Sequence, residues 1–480
     1  MAKLLRVMKF GGTSMGDAEC IARSAKIVVD AARDASIVVV VSAMSGVTNR
    51  LIASATRAQA GDPEAGPELV NALRKQHETA LQVLIGNVIC NNGQRSQVQE
   101  QMEAILTEAR RLYDGTALLR ELSPRTLDSI SSLGERLSAP VFSATLAAMG
   151  LKSEPVEATR LIVTDSYHGG AEPLADLTRK HSEECLRPML KDGAVPVVTG
   201  FIGSTEAGEL TTLGRGGSDY SATILGAALS ADEVIIWTDV DGVLTADPRQ
   251  VKDARTIPEI SYREAAELAF FGAKVLHPKT LNAVVAAKIP VWIRNSFSPD
   301  HPGTKITPQG RSNGGGVKAL TAIADVSLIS VGGPGIVGVP DVVGRTFSTT
   351  AEVRANVLLI SQSSSQNDIC FAVATPDAER TVTALRKEFA KDLTNQKVEH
   401  ITLDHDIAIV AVVGENMRGT RGMAGRTFSA LGRQDVNIIA IAQGSSECNI
   451  SFVVQGKDMK AALEATHREF GLGAAAAATS

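Results

Sequence analysis

The segment Thr211–Ser221, TTLGRGGSDYS, sets one guanidinium (Arg215) and one carboxylate (Asp219) among the glycines Gly214, Gly216 and Gly217. Glycine lets a backbone approach a ligand closely and adopt φ > 0. A fork-shaped cation beside a fixed anion suits a ligand that carries both charges, such as an amino acid. A second glycine pair stands near the N-terminus, in Lys9-Phe-Gly-Gly-Thr-Ser14, directly after a short apolar run. Glycine amides beside a lysine suit phosphate. The two segments read as an enzyme that brings a phosphate donor to a small zwitterion.

These residues need a frame that converges them. Leu4–Lys9, Ser36–Val41, Val195–Thr199, Glu233–Thr238 and Pro290–Arg294 are short apolar runs followed by glycine or polar turns, and they read as buried strands. Helical stretches lie between them, notably Ser96–Leu122 and Thr126–Met149. The alternation predicts an α/β fold with a mainly parallel sheet sandwiched by helices. Ligands in such folds bind beyond the carboxyl ends of the strands. Three strands run straight into motifs there: Lys9-Phe-Gly-Gly, Ser42-Ala-Met-Ser-Gly and Thr238-Asp-Val-Asp-Gly.

Turn clusters at Ser296–Gly303 and Gly310–Gly316 mark a boundary near residue 300. Beyond it the chain repeats itself. Gly344–Val373 and Gly425–Val454 match at 13 of 30 positions without a gap, at an offset of 81 residues. Each copy reads as a small βαββαβ unit.

Several classes are disfavoured. The net charge of −5, with no blocks of Lys or Arg, gives no case for nucleic acid. Five scattered cysteines fit neither a disulfide framework nor a zinc site. No apolar run reaches the length of a membrane span, and the N-terminus lacks a signal-peptide core, so a cytoplasmic protein is expected. Gly333-Pro-Gly-Ile-Val-Gly338 matches G-x-G-x-x-G, but its repeat partner Gly414–Gly419 loses the central glycine. The pattern reads as a strand–helix loop of the repeat, not a dinucleotide site.

Seven motifs occur in order: Lys9–Ser14, Ser42–Asn49, Gly134-Glu-Arg-Leu-Ser138, Thr211–Ser221, Trp237-Thr-Asp-Val-Asp-Gly242, Thr245-Ala-Asp-Pro-Arg249 and Phe271-Gly-Ala-Lys-Val-Leu-His-Pro278. With them the chain resembles the aspartokinases of the amino-acid-kinase superfamily, from about residue 4 to about residue 470. The repeats resemble that family's paired ACT domains, and the likeness is greatest to threonine-sensitive members that carry a fused homoserine dehydrogenase. This chain, ending at Ser480, has no room for the dehydrogenase and is expected to be monofunctional. The resemblance implies a catalytic domain over 1–300, a linker over 301–320 and ACT domains over 321–400 and 401–480, with the C-terminal segment free to return and complete the first. It implies transfer of the γ-phosphate of MgATP to the β-carboxylate of L-aspartate, on the route to lysine, threonine and methionine. Inhibition by an end-product amino acid, threonine or lysine, is implied too, as is a homodimer or homotetramer through the ACT domains.

An aspartate carboxylate is ionised at neutral pH and needs no general base, so catalysis must come from positioning and cations. The resemblance places Lys9, Gly11, Gly12, Thr13 and Ser14 on the phosphates of ATP, with Lys274 as a second cation. Thr238, Asp239, Leu244 and Arg249 are further nucleotide contacts, although many members carry tyrosine where Leu244 stands. Arg215 takes the α-carboxylate of aspartate, with Gly216, Gly217, Ser218 and Thr48 around the substrate. Glu135 and Asp219 face its ammonium, and Lys9, Asp219 and Lys274 are the expected catalytic groups. Mg2+ is expected to ride on ATP oxygens and water, with no dedicated protein cage. His277 reads as structural. Asn356 and Gln362, aligned with Asn437 and Gln443 by the repeat, are expected effector ligands. Two other readings remain open: a kinase for another carboxylate or a carbamate, and an inactive amino-acid sensor.

Overall fold

The computed structural model describes residues 3–87, 92–272, 276–311, 316–333, 340–363, 368–417, 419–444 and 448–473. The chain divides into two compact units. One comprises residues 1–243, 258–262 and 275–310; the other comprises 244–257, 263–274 and 311–480. The longest stretch of the second unit begins after Gly310, and two excursions, 244–257 and 263–274, leave the first unit for the second.

The first unit is built on an eight-stranded sheet. Its order is Ser153–Val156, Val195–Thr199, Ala35–Val41, Leu4–Phe10, Glu233–Thr238, Val291–Asn295, Thr304–Thr307 and Glu259–Ser261. All neighbours are parallel except Val291–Asn295 with Thr304–Thr307. The strand Ala35–Val41, ASIVVVV, is buried along nearly its whole length, as expected of an interior parallel strand covered on both faces. Met8, Phe10, Val39, Val41 and Trp237 face a core completed by helices such as Ala18–Ala31 and Leu133–Ala148. A small sheet of Val163–Thr164, Ile202–Thr205 and Leu210–Thr212 leads into the Arg215 segment. Among the described residues no helix is long and apolar enough to cross a membrane.

The stretch expected as one helix, Thr126–Met149, is two, Pro124–Ser131 and Leu133–Ala148, interrupted at Ser132. Ser131 and Ser132 donate their hydroxyls back to the carbonyls of Leu127 (2.8 Å) and Ser129 (2.7 Å), the local competition that disfavours serine inside helices.

The second unit holds one antiparallel six-stranded sheet, ordered Val357–Gln362, Asp368–Ala374, Ala319–Gly332, His400–Val413, Asn449–Gln455 and Ala440–Ala442. The two central strands are 14 residues long because each serves both repeats. Residues 328–332 pair with 400–404 in the first repeat, and 319–323 pair with 409–413 in the second. The last strand of the second repeat is therefore supplied from before the first, by Ala319–Ile323. That differs from the expectation that the C-terminal segment returns to the first. Both long strands shift register at an aspartate with left-handed backbone, Asp325 (φ 57°) and Asp406 (φ 59°), which the 81-residue offset makes equivalent. Each repeat also closes its helical layer in the same way. Arg345 pairs with Glu388 (2.7 Å) and lies over Phe389; Arg426 pairs with Glu469 (3.0 Å) and lies over Phe470.

Candidate active site

Lys9 is the next-to-last residue of the first strand, in register with Val40 and Ile236. Alternation along the strand turns it away from the Met8–Phe10 core, and its side chain is buried. Its Nζ lies 2.5 Å from Oδ1 of Asp219. Asp219 stands in the first turn of the helix Gly217–Leu229, where the positive helix end favours an anion. Gly216 caps that helix with φ 72°, and a Cβ there would meet the Cβ of His277 at 2.7 Å. Only glycine satisfies both demands.

The glycine turn after Lys9 is tied to the next strand. The Gly11 amide donates to the Trp237 carbonyl (3.1 Å), and Ser14 shares a hydroxyl contact with Ser296 (2.8 Å). A Cβ on Gly11 would sit 3.2 Å from the Lys9 Nζ, so the ammonium lies directly against this turn. Thr238 ends its strand and donates to Asp239 (3.1 Å).

Glu135 is buried in the first turn of Leu133–Ala148. Gly134 lets that turn approach Ala43, whose Cβ would stand 2.6 Å from a Cβ at 134. Glu135 accepts from Ser218 Oγ at 3.4 Å, and its Oε2 has no hydrogen-bond partner among the described residues. Burial pushes its pKa up to about 7, against the opposing effects of a backbone amide, the Ser218 hydroxyl and the Lys9 charge. Thr48 is the second residue of the helix Val47–Gln59; Gly46 takes the cap position that a threonine could have filled. Arg215 is exposed and makes no ion pair or hydrogen bond among the described residues. His277 caps the helix Pro278–Ala287, as a structural histidine would, and burial lowers its pKa.

Lys9, Gly11, Gly12, Thr13, Ser14, Thr48, Glu135, Arg215–Asp219, Thr238 and Asp239 all belong to the first unit. Leu244 and Arg249 fall in the second, where Leu244 bridges Thr256 and Arg249 ion-pairs with Asp247 (2.6 Å). Lys274 lies outside the described residues. Sequence reading missed Asp128. Its buried carboxylate accepts from Thr212 Oγ1 (2.5 Å), the Gly169 amide (3.1 Å) and, at 2.8 Å, contacts His168 Nδ1. It sits in no motif of the sequence. Among the described residues no group of three His, Cys, Asp or Glu side chains converges as a metal site.

The profile of the amino acid kinase family matches residues 5–295, and that of the ACT domain matches 329–389 and 410–470. The chain is 31% identical over 479 residues to aspartokinase 1, chloroplastic, of Arabidopsis thaliana, covering 97% of this chain and 80% of that one. The structure of E. coli aspartokinase III in complex with aspartate and ADP (R-state) superposes with a TM-score of 0.79 at 32% identity, covering 97% of this chain and 99% of that one. The chain belongs to the aspartokinases. It is also 35% identical over 476 residues to the bifunctional aspartokinase/homoserine dehydrogenase of Haemophilus influenzae, covering 97% of this chain and 56% of that relative. The chain spans about half the length of the bifunctional relatives it matches.

The ACT sheet of this aspartokinase carries a cavity of about 480 Å³ between the strands Val357–Gln362 and Ala440–Ala442. Gln362 and Gln443 line it, and Ser361 Oγ bridges the two strands to the Ile441 carbonyl (3.0 Å). Asn356 and Asn437 are exposed, precede these strands and do not line it.

Proposed function

We propose that this aspartokinase transfers the γ-phosphate of MgATP to the β-carboxylate of L-aspartate. The observation that carries the reading is a buried lysine at a strand end, against a glycine turn and paired to a helix-start aspartate. A β-carboxylate oxygen attacks the γ-phosphorus, the bond to the β,γ-bridging oxygen breaks, and ADP leaves with that electron pair. No proton moves in the transfer step itself, so what the chain supplies there is charge and alignment. Lys9 is placed to neutralise the transferring group beside the Gly11–Gly12 turn. Arg215, free of any protein partner among the described residues, takes the α-carboxylate bidentately. Glu135 ionises as it receives the substrate ammonium. Magnesium enters with ATP, held by phosphate oxygens and water. The binding of aspartate and ADP by E. coli aspartokinase III supports the substrate pair.

The ACT repeats are regulatory in this reading. An end-product amino acid, threonine or lysine, binds with Gln362 and Gln443, whose amides can serve both of its charged groups. The chain assembles through these repeats. The test is to trap an acyl phosphate with hydroxylamine across a panel of carboxylates. β-Aspartyl hydroxamate formed only with L-aspartate and MgATP is expected; a folded protein that forms none, or forms it from another acid, rejects the reading.

A further inference from the structure

We propose that the first unit carries a second ligand site, for a small multivalent oxyanion, on the face of its sheet opposite Lys9. A cavity of about 480 Å³ lies between the helix Ala18–Ala31 and the strands Leu4–Phe10, Glu233–Thr238 and Val291–Asn295. Met8 lines it while Lys9, the next residue, points to the other face, so this space is separate from the Lys9–Asp219 pair.

The charges around the cavity do not balance. Glu233 is taken by Arg6 (2.5 Å) and by the Trp292 indole N–H (2.8 Å). Asp30 is taken by Lys26 (3.0 Å) and Arg33 (3.2 Å). Arg23 and Arg294 have no carboxylate within 4.0 Å among the described residues, and Asp300 on the rim has no cation. Among the described residues, two guanidinium groups without an ion pair therefore face one carboxylate without one, and Glu233 acts on Arg294 only through its field. Arg294 is half-buried over the rings of Trp237 and Trp292, and among the described residues its one acceptor is the Pro302 carbonyl (3.2 Å). Beyond that contact, the guanidinium N–H groups of Arg294 are left for an acceptor-only ligand. Arg23, over Phe297 at 4.7 Å, supplies a second fork at the entrance.

The site has a built-in reporter, because Trp237 and Trp292 are the only tryptophans among the 480 residues. Inorganic pyrophosphate would be titrated into the full chain without magnesium, at constant ionic strength, against a chloride control, reading tryptophan emission. A saturable change absent from the control is expected. It should persist in Lys9→Met, which removes the phosphate cation of the active site. It should weaken at least about tenfold in both Arg294→Gln and Arg23→Gln. No saturable change overturns the proposal. So does a change lost in folded Lys9→Met and kept in the arginine variants, which would assign the anion to the active site. Should Arg294→Gln fail to fold, Arg23→Gln on the helix surface decides alone.

Discussion

Glu135 sits where its charge is unwelcome until a partner arrives. Its folded pKa, about 7, lies above its ordinary value of 4.5 because burial disfavours the carboxylate. Between those values the folded chain keeps a proton that the unfolded chain releases, so stability falls as pH rises from 4.5 to 7 and stays low above it. The deficit is roughly 3 kcal/mol at its upper bound. Glu135→Gln removes it. The variant should melt higher than the parent at pH 8, with the gap closing near pH 4.5, while its KM for aspartate rises roughly tenfold or more. A variant less stable at pH 8 would show that the glutamate is not held near neutrality. Arg215 gives the complementary prediction. Being exposed and unpaired among the described residues, it holds no structure together, so Arg215→Ala should leave the melting temperature nearly unchanged. The KM for aspartate should rise about a hundredfold, with that for ATP within about threefold. Equal effects on both substrates would mean the guanidinium is misplaced in this account.

The elements explain why these side chains stay put. Lys9, Thr238 and the Ser42 turn end adjacent parallel strands, and this much was legible in the sequence, because buried strands announce themselves as apolar runs ending in glycine. The contacts that steady the Arg215 segment were not legible. Asp128 comes from a distant helix and gathers Thr212, three residues before Arg215, together with Gly169. Such a network depends on tertiary placement and leaves no local pattern. Asp128→Asn keeps the shape and removes the charge that accepts these donors. It should raise the KM for aspartate about tenfold with little change for ATP. A parallel rise in both would mark Asp128 as general scaffolding. The serine break before Glu135 was missed for a related reason: two hydroxyls turning back on their own helix look, in sequence, like ordinary helix residues.

At the scale of the whole chain, the tandem repeat was visible as identities, and the structure adds what those identities do. The shared Gly-Arg-Thr-Phe-Ser start places an arginine against a glutamate and a phenylalanine in each copy. Strand sharing was invisible, because a 14-residue apolar strand does not say which half serves which repeat. The excursion 263–274 was hidden too. It lies within a stretch that reads as part of the catalytic domain, yet in the second unit its Glu264 holds the buried Lys318 (2.8 Å) and accepts from the Glu415 amide (2.9 Å). Phe271, from the same excursion, lines the cavity that Gln443 lines. Effector binding there can act on catalysis only if it favours one of two global states. Gln443→Ala should therefore shift the inhibition curve for threonine or lysine to about tenfold higher concentration and leave the uninhibited rate alone. Unchanged inhibition would remove Gln443 from the effector's contacts.

In the proposed reaction a buried ammonium, that of Lys9, stabilises the transferring phosphoryl group without giving up a proton. The direct measurement is the single-turnover rate of acyl-phosphate formation by Lys9→Met, with its fold checked by circular dichroism and both substrates saturating. The predicted result is a fall of about a hundredfold or more at every pH from 6 to 9, with binding of aspartate little changed. A rate within about threefold of the parent would contradict it.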